Sequence, residues 1–153
     1  MTNEHEINPH IGVGPVRLGM SRSEARSMIA VPFRSFKKSS TDVSLTDAYF
    51  NNCFQLFFDE ADVVNYIELS NPIKALYKGI PVFDSKAEVI IAAISLDAAV
   101  EQSVLEPGYS FLFPSLDLSL WRPTIPEPDQ AEQDNEGRYF MTIGIGRMGY
   151  FSR

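Results

Sequence analysis

A chain of 153 residues that is 44% hydrophobic, with 11 Phe, 6 Tyr and 1 Trp, holds the apolar material for one domain with a real core, which excludes wholesale disorder. Its single cysteine, Cys53, excludes an internal disulfide framework and any cysteine-based metal cage. A net charge of −7 argues against binding a phosphate backbone, which calls for a basic face, and suits solubility or a basic protein partner.

In chain order, residues 1–10 (MTNEHEINPH) carry Glu4 and Glu6 without an apolar run, which fits a flexible tail and neither a secretory nor a lipoprotein signal. No later apolar run approaches the roughly 20 residues of a membrane span, so the expected location is the cytoplasm. Val16 and Leu18 alternate with Arg17 and predict a short strand that turns at Gly19. Ser21-Arg22-Ser23-Glu24 has the form of a capping box and predicts a helix from about residue 22 to 30, with Ala25, Met28 and Ile29 on one face. Pro32 ends it, because the residue before a proline is pushed out of the α region.

Residues 34–46 (RSFKKSSTDVSLT) are polar and read as loop. Phe54, Leu56 and Phe58 alternate in one run, and Val63, Ile67 and Leu69 in the next, so the two form a β-hairpin around Glu60 and Ala61. Residues 75–83 add a strand broken or bulged near Gly79 and Pro81. Ser85-Lys86-Ala87-Glu88 is a second capping box, followed by Val89, Ile90, Ala93 and Ile94 at helical spacing. Tyr109, Phe111 and Phe113 share a face of one strand; Leu116, Leu118 and Leu120 share a face of the next, with Pro114 between them. Residues 122–137 (RPTIPEPDQAEQDNEG) form an acidic loop whose prolines and acids prevent regular structure. A final strand alternates Tyr139, Met141, Ile143 and Ile145 with Phe140, Thr142, Gly144 and Gly146, the glycines leaving room for a helix or another backbone. The fold class is α+β: a mainly antiparallel sheet of about six or seven strands with two helices packed on it, in a single domain spanning 11–153.

The charge is not spread evenly. Residues 1–40 hold six basic groups against Glu4, Glu6 and Glu24, a balance of +3, so residues 41–153 carry −10. Glu127, Asp129, Glu132, Asp134 and Glu136 fall within ten residues that contain no basic group. Their spacing does not fit a calcium loop, which needs ligands at positions 1, 3 and 5 and a glutamate at 12. They read as a solvated loop or as a recognition element for a basic partner. Trp121, the only tryptophan, and Arg122 lead directly into this loop; both residue types serve as core packing or as interface anchors.

Catalytic motifs are not found. Gly12, Gly14 and Gly19 do not have G-x-G-x-x-G spacing, and Pro15 interrupts them. The two histidines, His5 and His10, lie in the expected tail, where a nucleophilic triad or a metal site has no support. Asp59, Glu60 and Asp62 cluster at the hairpin turn and read as surface turn residues. Cys53, beside Phe54, reads as an inert buried thiol.

Taken together, GVGPVRLGMSRSEARSMI, the Phe-rich hairpin, Tyr77-Lys78-Gly79, LSLWRP, the acidic loop and the terminal MGYF resemble small bacterial immunity proteins of polymorphic toxin and contact-dependent growth-inhibition systems. The resemblance implies a cytoplasmic, non-enzymatic inhibitor without a cofactor that occludes a cognate toxin domain. Many such toxins are nucleases with basic clefts, which an acidic surface can cover in place of nucleic acid. No binding residue carries over by motif. On physical grounds the expected contact set is Trp121, Arg122, Glu127, Asp129, Glu132, Asp134 and Glu136. The competing functions are a small-molecule-binding or regulatory module with an apolar pocket, and an enzyme that uses carboxylates alone.

Overall fold

The computed structural model describes residues 4–102 and 105–152. The chain begins with β1 (Glu4–Asn8), β2 (Gly12–Val13) and β3 (Val16–Arg17), followed by α1 (Arg22–Ile29). Next come β4 (Phe33–Phe36), β5 (Thr46–Tyr49), β6 (Phe54–Phe58), β7 (Val64–Ser70), β8 (Lys74–Tyr77) and β9 (Ile80–Pro81). After α2 (Ala87–Ser95) follow β10 (Glu101–Gln102), β11 (Ser110–Phe113), β12 (Leu118–Trp121) and β13 (Thr142–Gly146). The fold is α+β with two helices and mostly antiparallel sheets, one of eight strands (β10-β11-β12-β13-β7-β6-β5-β4) and one of five (β3-β2-β1-β8-β9). Only the β1–β8 pair is parallel among the described strands.

Strand register explains how the large sheet separates its faces. Phe111, Leu120, Ile143, Leu69, Phe54 and Tyr49 stand opposite one another across six strands, and Phe113, Leu118, Ile145, Ile67 and Leu56 form a second row. These residues are buried and join Ala25 and Ile29 of α1, Ile90 and Ile94 of α2, and Ile7, Val13, Val16, Ala75 and Tyr77 of the small sheet in one hydrophobic cluster. Because side chains alternate along a strand, Gln55, Glu68, Ser119, Trp121 and Thr142 point to the opposite face, and each keeps some solvent exposure.

Several local expectations are corrected by long-range pairing. Residues 4–8 are a strand and not a flexible tail: β1 pairs in parallel with β8 through His5↔Ala75 and buries Ile7. The segment assigned to loop at 34–46 contains most of β4, whose Phe33 and Ser35 stand opposite Tyr49 and Asp47. Residues 75–83 are two strands joined at Lys78 and Gly79, whose positive φ values (48° and 79°) give the backbone twist a tight hairpin requires. A bulge opposite Phe57 and Phe58 shifts the phase of β7, so Val64 is fully buried in place of Val63.

The two helix starts differ. Ser21 caps α1, its hydroxyl accepting from the Glu24 amide at 3.2 Å, and Ala30 ends the helix in the left-handed region. Met28, placed on the inward face by spacing, is exposed. Ser85 does not cap α2: the cap position is Lys86, without a side-chain hydrogen bond, and the Ala87 amide donates to the Arg138 carbonyl at 2.8 Å. A tertiary contact thus satisfies a group that a local cap would otherwise serve. The last strand stops at Gly146 and a 3₁₀ turn, Tyr150–Ser152, follows. Its glycines make room for side chains and not for a backbone: a Cβ on Gly144 would lie 1.9 Å from the Tyr66 hydroxyl, and one on Gly146 would lie 2.5 Å from Tyr150.

Candidate functional site

Trp121 ends β12 on the solvent-facing side of the large sheet and is 38% exposed. Beside it, Tyr66, Glu68, Ser119 and Thr142 line a cleft of about 250 Å³. The floor is fixed by register: Ser119 stands opposite Gly144, and Gly144 opposite Glu68. The Tyr66 ring fills the space Gly144 leaves, stacks on Tyr150 at 4.7 Å and meets Phe57 and Phe151. Burial, then the charge of Glu68, raises the Tyr66 hydroxyl far above its ordinary pKa, so it stays a neutral phenol. On the other side of Glu68, Lys38 lies 3.9 Å from the carboxylate and 4.7 Å from the centre of the Phe57 ring.

Immediately after Trp121 the acidic loop leaves the sheet. Its shape is set mainly by groups that are not acidic, with one contribution from the Asp134 carboxylate, which accepts from the Glu136 amide at 3.0 Å. The Gln130 side chain accepts from the Glu127 amide at 2.9 Å and donates to the Asp134 and Glu136 carbonyls at 2.8 and 2.9 Å. Arg138 donates to the Asp134 carbonyl at 2.7 Å and to that of Ala131 at 3.2 Å. At the base, Arg122 donates to the carbonyls of Gly108 and Gly137 at 2.8 and 3.0 Å and lies over the rings of Phe111 and Phe140. Gly137 closes the loop at φ 77°, where a Cβ would sit 2.6 Å from the Thr124 carbonyl oxygen.

The expected contact residues therefore divide. Glu127, Asp129, Glu132, Asp134 and Glu136 are exposed, and none of their carboxylates is in an ion pair among the described residues. Trp121 is also exposed, in the cleft with Glu68 and Thr142. Arg122 is half-buried and donates from Nε and Nη1 to carbonyls inside the molecule, so it is a strut of the loop. Tyr66, Glu68, Ser119 and Thr142 were not singled out by sequence. Their signal was the off-phase half of three alternating strands, β7, β12 and β13, which in β7 the bulge obscured.

Two buried carboxylates lie elsewhere. Asp47 is fully buried in the inward row of β5, opposite Leu56, where an apolar residue would be expected. It accepts from Arg22 Nη1 (2.9 Å), Arg26 Nε and Nη2 (2.8 and 3.0 Å) and the Ser35 hydroxyl (2.6 Å). Arg22 also pairs with Asp62 and donates to the Leu45 carbonyl, and its guanidinium lies 3.8 Å from the centre of the Phe58 ring. Burial pushes the Asp47 carboxyl up, but the Arg26 and Ser35 hydrogen bonds and the Arg22 charge outweigh it and hold the pKa below the ordinary value. Asp117, at φ 49°, accepts from His10 Nε2 and the Gly149 amide at 2.9 Å and from the Phe151 amide at 3.1 Å. Asp47 accepts four hydrogen bonds and Asp117 three, each from a neighbour within the fold, so both carboxylates pin elements together.

The histidines are not tail residues. His5 is buried against Phe50 and Phe54, and His10 is held by Asp117. Asp59 organises its turn, accepting from the Ala61 and Val63 amides and pairing with Arg147. Cys53 is half-buried, and burial raises its thiol pKa. Among the described residues no group of His, Cys, Asp and Glu is placed to hold a metal ion, and no helix is long and apolar enough to cross a membrane. Compared with known proteins, the chain matches no family model, no curated relative and no solved structure.

Proposed function

We propose that this protein is an immunity protein that neutralises a toxin domain with a basic surface by binding and covering it. The observation that carries the reading is the acidic loop: five exposed carboxylates with no ion-pair partner among the described residues, only that of Asp134 accepting a hydrogen bond, from the Glu136 amide, on a backbone already held in shape by Gln130, Arg138 and Arg122. Loop acids that serve the fold, such as Asp59, are paired within it. Those of residues 127–136 are in no ion pair among the described residues, which leaves their charge open to another molecule. A pre-shaped loop loses little conformational freedom on association, and a one-signed patch steers a basic partner toward it. The resemblance carried by GVGPVRLGMSRSEARSMI and LSLWRP supports the same reading. The small-molecule alternative has weaker support: a depression of about 600 Å³ between Phe33, Arg34, Phe50 and Asn52 at the sheet edge is open to solvent.

The test is coexpression with the product of the adjacent gene. The expected result is a toxic product, a stable complex and restored growth. Changing all five loop acids to amides should slow association at low salt, with the difference vanishing at high salt. A neighbour that is not toxic, or one whose toxicity this protein leaves unchanged, defeats the proposal.

A further inference from the structure

The cleft between Trp121 and Glu68 is separate from the loop and has its own chemistry. It combines an exposed indole, a carboxylate and two hydroxyls (Ser119 and Thr142) in about 250 Å³ of solvent-filled space on the sheet surface. An exposed indole next to a carboxylate is the pairing that holds a cation, the ring through its negative face and the acid through charge-assisted hydrogen bonds. The protein already uses this chemistry on the far side of the same carboxylate, where Lys38 lies over Phe57 and against Glu68. The Trp121 side contains no basic group; its Ser119 and Thr142 hydroxyls contact Tyr66 and Ser70 and keep lone pairs that can accept from a cation. Among cations, a guanidinium suits it best, because its plane stacks on an indole while its edge donates to a carboxylate and hydroxyls.

We infer that this cleft receives an arginine side chain of the partner protein, with the guanidinium stacked on Trp121 and hydrogen-bonded to Glu68. The inference rests on the proposed basic partner and gives the interface a fixed point. The loop supplies long-range attraction, and the cleft supplies the short-range contact that sets the dissociation rate.

Trp121 is the only tryptophan, so its fluorescence reports the cleft directly. The probe is a hexa-arginine peptide, titrated at low salt, with hexa-lysine as comparison. The expected result is a saturable change in Trp121 emission with hexa-arginine and a weaker one with hexa-lysine. Glu68→Gln should lower hexa-arginine affinity by about tenfold, the loss of one charge-assisted contact. Thr142→Leu, which fills the cleft from a surface position, should abolish the emission change; circular dichroism of both variants checks that the fold is retained. The five-acid loop variant should bind more slowly but reach the same emission endpoint. Unchanged Trp121 emission at saturation, or a Glu68→Gln affinity within about twofold of the parent, overturns the cleft assignment. Those results leave the loop reading standing if the loop variant still associates more slowly. A loop variant with unchanged kinetics, beside an intact Glu68→Gln effect, removes the loop and keeps the cleft.

Discussion

Replacing Asp47 with alanine tests whether the buried carboxylate is what joins α1 to the edge of the large sheet. The substitution removes four hydrogen bonds, three from arginines and one from Ser35, and leaves two guanidinium groups facing an apolar hole. Breaking a buried ion pair by deleting one partner costs about 3–5 kcal/mol. Relief comes from two sources: Arg22 keeps Asp62 and the Leu45 carbonyl, and the Arg26 side chain is already 35% exposed. The expected loss is therefore near the lower end, about 3 kcal/mol, or a drop of about 6–12 °C in Tm for a chain of this size. Urea and thermal denaturation measure it, and hydrogen exchange should rise first at β4, which Ser35 ties to Asp47. The pH dependence has a definite sign. The folded pKa of Asp47 lies below the ordinary value, so its contribution is complete above the unfolded pKa of about 3.9 and is lost as pH falls through the folded value. The gap between parent and Asp47→Ala should be constant at neutral pH and close in that acid window. A neutral-pH loss under about 1 kcal/mol would refute the reasoning, because a fully buried carboxylate that accepts four hydrogen bonds would then contribute less than one partner of a typical buried pair.

Three further outcomes follow from close contacts and saturated groups. Gly144→Ala should cost about 1–3 kcal/mol by driving a methyl into Tyr66, and in a Tyr66→Ala background the same methyl should cost almost nothing; a double-mutant cycle by denaturation measures the coupling. Arg122→Ala should strip the loop base of its donors to Gly108 and Gly137 at about 1–3 kcal/mol, and proteolysis should then cut within 122–137 before the core opens. Asp117→Ala should cost about 1–3 kcal/mol at neutral pH, read by thermal melts. Burial raises the Asp117 pKa, but the Phe151 amide and His10 outweigh it and hold it low, so this contribution too is present above about pH 3.9 and lost below it as the carboxyl protonates.

What was legible in the sequence was what is decided locally. The Ser21 cap and the stop before Pro32 act within one turn of helix, and α1 spans Arg22–Ile29. The β6–β7 hairpin was visible because its inward residues alternate over a short turn. Elements whose reason lies far along the chain were not. β1 forms because β8, almost seventy residues later, offers it a parallel edge. β4 reads as polar because only its pairings with Tyr49 and Asp47 give Phe33 and Ser35 a role. Ser85 looked like a cap, but the Arg138 carbonyl had already taken that amide. The site was half legible for the same reason. Trp121 and the loop acids announce themselves by rarity and crowding, whereas Tyr66, Glu68 and Ser119 become neighbours only through sheet register.

The placement of arginines separates the two kinds of acid in this protein. Arg22 and Arg26 come from the net-positive first forty residues and are consumed by Asp47 and Asp62. Arg147 is consumed by Asp59. Arg122 and Arg138 stand at the two ends of the acidic loop, and both donate to backbone carbonyls. An arginine that bonds carbonyls stiffens the loop without pairing directly with its carboxylates. Were the loop acids present only to keep the chain soluble, their shape would not matter and no such bracing would be needed. Bracing a loop while leaving its carboxylates unpaired lowers the ordering cost of a later contact and preserves the field that draws a basic partner in. The negative charge of residues 127–136 is thus held in a defined shape on a loop that follows Trp121 in the chain, as the proposed binding of a basic partner calls for.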